Sequence, residues 1–323
     1  MMRLLPVLAS IVGLSILALL LFLISYALPV FLKHYQAVLV FTWAPEQGHI
    51  GILAMVLGSA CIALLALVIA YPIAIGLVCF LLVYRHTRLA RFLRRMIRFM
   101  AGIPTVVYGI CAIFLLLPLL RETLSLGSGF SLFSAALMLS LLILPVMVMT
   151  LENQAQLMMQ PLWITSAALG LSPWQALRHL WFVQSRHTFL ASALLGFSRA
   201  LGDTMLPLML AGNAPQIPMS VFDSVRSLTA HISLVLSTAQ GSQAHQSLFA
   251  AGFLLLCFSV LIQLLIRRLL FNRRQLFHRR QLLNQRQYNA LPHQHSPLAH
   301  QKNALSEPPE LTSNHVKARR YEG

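Results

Sequence analysis

Apolar residues run in long unbroken stretches along this chain, and polar and charged residues gather between them. The first run, Leu4 to Leu32, contains no charge. A bilayer core takes about 20 apolar residues as helix, so this run is long enough to span with tilt. It is too long for the roughly 7–15-residue apolar region of a cleavable signal peptide, and an uncleaved span is expected. Further runs predict spans at Gly51–Val83, Phe99–Leu120, Leu132–Thr150, Thr188–Ala211 and Leu248–Leu270. The fifth is interrupted only by Arg199 and Asp203, and the sixth ends on Arg267 and Arg268. Helices rather than strands follow from the length of the runs and from the need to satisfy every backbone group inside the bilayer. The expected fold is an all-α integral membrane bundle of six transmembrane helices. Its parts are a first helix and outer loop (1–49), a core of five helices (50–270) and a C-terminal tail (271–323). The core holds an inner loop at 151–187 and an outer loop at 212–247.

Composition sharpens this picture. Apolar residues make up 58% of the chain and charged residues 10%, against roughly 25% charged in an average soluble domain. The mean hydropathy is +0.74. A soluble globule of this size is excluded. The 24 Lys and Arg against 8 Asp and Glu give a net charge of +16, a balance that nucleic-acid binders also show. Position decides between the two readings. With the N-terminus in the cytoplasm, the inner segments as far as Arg280 hold 15 basic residues and the outer ones only Lys33, Arg121 and Arg226. The positive-inside rule then places both termini inside. The stretch Arg85 to Arg98 is bounded by two spans, so it reads as an inside anchor with anionic-lipid contact and not as a nucleic-acid site. The tail carries basic residues with Gln, His, Asn and Pro and little apolar periodicity, so disorder is expected there. His293, His295 and His300 read as part of that solvated tail; no metal site is expected.

Catalytic chemistry has little to stand on. The lysines are Lys33, Lys302 and Lys317, and none follows a glycine-rich phosphate loop. Neither HExxH nor GxSxG occurs. Before the tail the acids are Glu46, Glu122, Glu152, Asp203 and Asp223, too scattered for a paired-carboxylate site. Cys61, Cys79, Cys111 and Cys257 lie in apolar runs and form no CxxC pair, so they read as packing residues. A transport subunit, a channel or a scaffold is expected before an enzyme.

Two features carry chemistry. In the fifth run, GFSRALGDTMLPL, Arg199 and Asp203 lie four apart, followed by Thr204. On a continuous helix they share a face and can pair. Each costs roughly 2.5–3.5 kcal/mol at mid-membrane, and intramembrane ions mark substrate paths by default. Guanidinium suits an oxyanion such as phosphate, because its planar donors engage two oxygens. The alternative is a self-neutralising pair that fixes register. The second feature is the inner loop, which reads PLWITSAALGLSPWQALRHLWF from Pro161. Pro161 suits a first helical turn, Gly170 allows a break, and Ser172-Pro173 suits a second start. Two short helices with small and apolar faces would dock a cytoplasmic partner or lie on lipid. In the outer loop, Val221, Phe222, Val225, Leu228, Ile232, Val235 and Leu236 recur with helical spacing and predict an amphipathic helix.

This arrangement resembles the permease subunits of bacterial ABC importers with the type I fold, whose mark is an EAA loop. Gly170 matches its glycine, and Ser166, Ala167 and Ala168 keep its small-residue character. Three stretches resemble the phosphate-specific (Pst) permeases: AGIPTVVYG (Ala101–Gly109, with Gly102, Pro104 and Tyr108), LGLSPWQ (Leu169–Gln175, with Trp174), and SRALGDTMLPLMLAGNAP (Ser198–Pro215, with Gly202, Gly212 and Asn213). Glu152 fits the acid that usually follows span four. The resemblance implies that Arg199 and Asp203 line a phosphate path, and that the loop around Ala167–Gly170 enters a groove of an ATPase. Relatives mostly carry Glu at the position of Asp203. Ile164 stands in place of the EAA glutamate and Val183 in place of a loop proline, which leaves coupling to packing by Leu169 and Trp174. It further implies a bacterial inner-membrane importer working by alternating access, with a second permease subunit, an ATPase dimer and a periplasmic phosphate-binding protein as partners. ATP and Mg would sit on the ATPase, with no cofactor on this chain. A permease for molybdate, sulfate or phosphonate, or a phosphate-sensing or scaffold subunit, are the alternative expectations.

Overall fold

Uninterrupted apolar sequence gives uninterrupted helix through most of this chain. The computed structural model describes residues 4–38, 40–124, 128–236 and 247–268. Helix α1 covers Leu4–Val38, and a two-strand hairpin follows, β1 (Trp43–Ala44) antiparallel to β2 (His49–Ile50). Helix α2 is Leu53–Val83, α3 Arg88–Gly102 and α4 Thr105–Thr123. Helix α5 runs unbroken over Leu132–Ala168. Helix α6 starts at Pro173–Ala176 and continues through a π turn at Leu177–Trp181 to Phe182–Gln184. Helices α7 (Arg186–Gly202), α8 (Met205–Leu210) and α9 (Leu228–Val235) precede α10 (Ser247–Arg268).

Among the described residues, five helices are long and apolar enough to cross a membrane: α1, α2, α4, α5 and α10. The fifth expected span is divided into α7 and α8 at Asp203-Thr204. Alanine makes the centre possible. Ala63, Ala66, Ala70 and Ala74 form a small-residue stripe on α2, buried in one core with Leu139, Ile143, Met147 and Leu151 of α5. Small residues let membrane helices approach closely where apolar surface alone gives no preference over lipid. Gly196 does the same for α7, since an added Cβ there would lie 2.7 Å from the Met147 sulfur. A second, smaller core joins Val30, Ile50, Ile52, Met55, Leu228, Ala250 and Ala251. It ties α1, the hairpin, α2, α9 and α10 together.

Several sequence expectations are corrected here. The third span does not start at Phe99: α3 ends at Gly102, and Ile103-Pro104 are extended (ψ 128° and 141°), so the apolar helix begins at Thr105. Proline disfavours helical backbone in the residue before it, which places the break. The fourth span and the first helix of the inner loop are one helix, so Pro161 is interior and not a first turn. The predicted outer amphipathic helix exists only over Leu228–Val235, and Val221, Phe222 and Val225 belong to a loop. The expected disordered tail, with His293, His295 and His300, lies outside the described residues.

Candidate functional site

The charged fifth run is built around a break. After Gly202 the backbone at Asp203 turns extended (φ −78°, ψ 130°). The buried Asp203 carboxylate accepts the Leu206 backbone N–H at 2.9 Å through Oδ2. A side-chain oxygen bonded to the amide three residues on is an N-cap, which satisfies one of the orphan donors of a helix start. Asp203 therefore begins α8. From α9, Thr229 Oγ1 donates to the Asp203 carbonyl at 3.0 Å, which fixes the break from outside. Thr204 is half-buried, and its carbonyl accepts the Leu208 N–H at 3.1 Å.

Arg199 is placed otherwise than its spacing suggests. It is exposed in the last turn of α7, and it makes no ion pair with Asp203. The i, i+4 face is lost because the helix ends between the two residues. The expected pairing is corrected: the anion is committed to the cap, and among the described residues no carboxylate lies within ion-pair distance of Arg199, whose charge still acts on Asp203 from further away.

The remaining positions of that stretch close the outer loop. Gly212 (φ +80°) and Asn213 (φ +58°) both adopt left-handed backbone, where glycine is free and asparagine is tolerated. Asn213 Nδ2 caps α8 by donating to the Leu208 carbonyl at 2.7 Å. Asn213 N–H donates to Val225 O at 3.1 Å and Val225 N–H to Ala211 O at 2.8 Å, so 212–225 closes on itself. Arg226 Nε donates to Asn213 O at 2.9 Å and locks the closure. The loop also caps α5: Leu132 N–H donates to Asp223 O at 2.9 Å and Phe133 N–H to Val221 O at 2.8 Å.

The AGIPTVVYG stretch meets this site through α4. Gly102 ends α3, and Pro104 precedes the first turn of α4. Tyr108 Oη donates to Met100 O at 3.0 Å and binds α4 back across the break. Gly109 faces α8: an added Cβ there would come 2.5 Å from the Met209 sulfur. Two stretches far apart in sequence are thus brought together.

The inner-loop positions lie at the other end of α7, whose 17 residues span about 25 Å at 1.5 Å each. Helix α5 ends in a Schellman turn: Leu171 N–H donates to Ser166 O at 2.9 Å and Gly170 N–H to Ala167 O at 3.2 Å, with Gly170 at φ +65°. Ser172 then caps α6 in a capping box with Gln175, as its sequence predicts. Ser166 is buried, while Ala167, Ala168 and Gly170 are exposed. Leu169 is 64% exposed and Trp174 55%, joined by Ile164 at 75% and Val183 at 72%. Each of these large apolar side chains, between the end of α5 and the end of α6, is exposed.

A further polar element escapes a reading by charge counting. Arg94 Nε makes an ion pair with Glu152 Oε1 at 2.5 Å, and Arg94 Nη2 donates to Leu81 O at 2.9 Å. Gln156 Nε2 donates to the same Glu152 oxygen at 3.3 Å. Arg94 thereby joins the end of α2, α3 and α5 at the point where α5 extends toward the inner loop. The available signal is its position between Ala90 and Ile97, on the apolar face of α3 and off the exposed arginine row. Among the described residues no cluster of three or more His, Cys, Asp or Glu could hold a metal.

Residues 70–275 match the family of binding-protein-dependent transport system inner membrane components, which is more than half of the chain. The chain belongs to this family. Its members are transport permeases, a multi-pass membrane class that works with other ABC components. Among curated relatives, this permease is 30% identical to the "Probable ABC transporter permease protein YqgH" of Bacillus subtilis, over 70% of this chain and 74% of that one. It is 27% identical to the "Phosphate transport system permease protein PstC" of Haemophilus influenzae, over 70% and 77% of the two chains. The PstC of Mesorhizobium japonicum is also 27% identical, over 71% and 76%. These relatives support the resemblance to Pst-type importer permeases drawn from the three motif stretches.

Proposed function

We propose that this permease is the membrane channel subunit of an ATP-driven phosphate importer in a bacterial inner membrane, in the position that PstC holds in its relatives. The observation that carries the reading is Arg199, an exposed cation at the end of α7 with no carboxylate within ion-pair distance among the described residues, beside a break in a long apolar segment. An unpaired guanidinium at membrane depth favours an anionic partner, and its fork of donors fits a tetrahedral oxyanion. Asp203, held in the α8 cap, stays outside ion-pair distance of it and acts on it only as a more distant charge. The PstC names of the relatives favour phosphate over molybdate, sulfate or phosphonate.

Six crossings with both termini in the cytoplasm follow if α7 and α8 together make the sixth. A second permease subunit would complete the path, and a periplasmic phosphate-binding protein would deliver to the outer loop. Two ATPase chains carrying ATP and Mg would drive alternating access through Ala167–Gly170. The exposed Ile164, Leu169, Trp174 and Val183 give that contact an apolar footing without the EAA glutamate. No covalent step occurs on this chain.

The test is competition on the assembled complex in cells lacking other phosphate uptake. Labelled phosphate uptake that unlabelled phosphate suppresses, and that equimolar sulfate, molybdate and phosphonate leave intact, is expected. Suppression by one of the other oxyanions at lower concentration than by phosphate would reassign the substrate.

A further inference from the structure

Helix α3 turns two unlike stripes away from the bundle. Its 15 residues advance by about 100° each. Ala90 and Ile97 are buried on one face, with Arg94 between them reaching Glu152 and Leu81. A second face carries Leu89, Phe92, Met96 and Phe99, which are 55%, 51%, 41% and 66% exposed. A third carries Arg88, Arg91, Arg95 and Arg98, all exposed. No acid occurs between Arg85 and Arg98. Among the described residues no carboxylate lies within ion-pair distance of these four arginines.

The connections restrict where this helix sits. Only residues 84–87 separate it from α2, and Ile103-Pro104 separate it from α4. Both neighbours are of membrane-crossing length and hydropathy. At no more than about 3.6 Å per residue, such connectors hold α3 at the bilayer surface. A surface helix bathed in water has no use for four large apolar side chains beside four cations. A helix with one protein face, one acyl-chain face and one headgroup face needs this division.

We propose that α3 is a binding site for anionic phospholipid headgroups of the leaflet it borders. Arg88, Arg91, Arg95 and Arg98 take the lipid phosphates, and Leu89, Phe92, Met96 and Phe99 sit among the acyl chains. Guanidinium forks match phosphate oxygens in pairs. The site stands apart from whatever solute the permease carries. Because Arg94 on the same helix holds Glu152, bound lipid and the α5 extension bear on one rigid element.

The full-length chain, purified in mild detergent and supplied with an equal mixture of phosphatidylglycerol and phosphatidylcholine, is examined by native mass spectrometry. Phosphatidylglycerol is expected to be enriched at least tenfold, since each basic side chain at an anionic surface is worth about fivefold in partitioning. High salt should remove the enrichment. The combined Arg88→Gln, Arg91→Gln, Arg95→Gln and Arg98→Gln variant should lose it, and the four lysine replacements should keep most of it. A photoactivatable phosphatidylglycerol should label peptides from residues 88–102 of the wild-type chain. Equal retention of the two lipids by the wild-type chain overturns the proposal, as does labelling that avoids residues 88–102, and neither result depends on how the variants fold.

Discussion

Asp203 combines a buried position with a structural task. Its carboxylate starts α8 through the Leu206 amide, and its carbonyl is held by Thr229. Asparagine caps nearly as well as aspartate, whereas alanine loses about 0.5–2 kcal/mol. Asp203→Ala is therefore expected to lower stability by about 1–2 kcal/mol, and Asp203→Asn by much less, in thermal melts of the detergent-purified chain. Equal losses in the two variants would show that charge and not capping is what the site needs. The two ionisable residues of this segment were legible in sequence as an anomaly in an apolar run. Their separate fates were not, because i, i+4 spacing means proximity only while the helix continues. The signal for the break was present: Asp203 is an N-cap residue type, and Pro207 has no N–H to bond the carbonyl four residues before it, which is that of Asp203.

At the scale of elements, hydropathy located α2, α10 and the start of α5 within a few residues, because a bilayer leaves helix as the only solution for such runs. It could not divide the third run at Ile103-Pro104 or join the fourth to the inner loop, since apolar character says nothing about where a helix ends. The capping residues did: Ser172 and Gly170 mark the loop as the structure has it. Arg94 was hidden among six arginines of one stretch, and only its place on the buried face distinguishes it. It pairs with Glu152 and also holds α2 through Leu81 O, so the pair braces three helices. Both side chains keep some exposure, which screens the interaction below the about 3–5 kcal/mol lost when a fully buried pair is broken from one side. Glu152→Gln and Arg94→Gln are each expected to destabilise by about 1–3 kcal/mol, with the double variant well short of the sum. Additive losses in that cycle, read from thermal melts, would mean that the two side chains act independently.

At the scale of the whole molecule, a junction of distant segments joins β1, α9 and the start of α10. His231 of α9 is fully buried, with Nε2 3.1 Å from Ser247 Oγ at the start of α10 and its ring edge-on to Trp43 at 4.4 Å. Burial, with the Arg226 charge as the lesser cause, pulls its pKa from 6.5 down to about 3. The unfolded chain takes up a proton near pH 6.5 that the fold refuses, so stability conferred by the neutral ring is present above that pH and declines as pH falls toward 3. The decline amounts to about 1.4 kcal/mol per pH unit. The wild-type chain is expected to lose more melting temperature between pH 7 and pH 5 than His231→Gln, and matching pH profiles would refute a buried neutral histidine. Such junctions are out of reach of sequence, because Trp43, His231 and Ser247 belong to three elements with no shared periodicity. The proposed function puts a path for an oxyanion beside Arg199, and labelled phosphate uptake by the assembled importer tests that proposal most directly. Arg199→Gln, inserted at wild-type levels, is expected to reduce uptake at least about tenfold, as loss of charge-assisted hydrogen bonds worth about 1.5–3 kcal/mol each requires, with Arg199→Lys in between. Undiminished saturable uptake by Arg199→Gln would contradict the account.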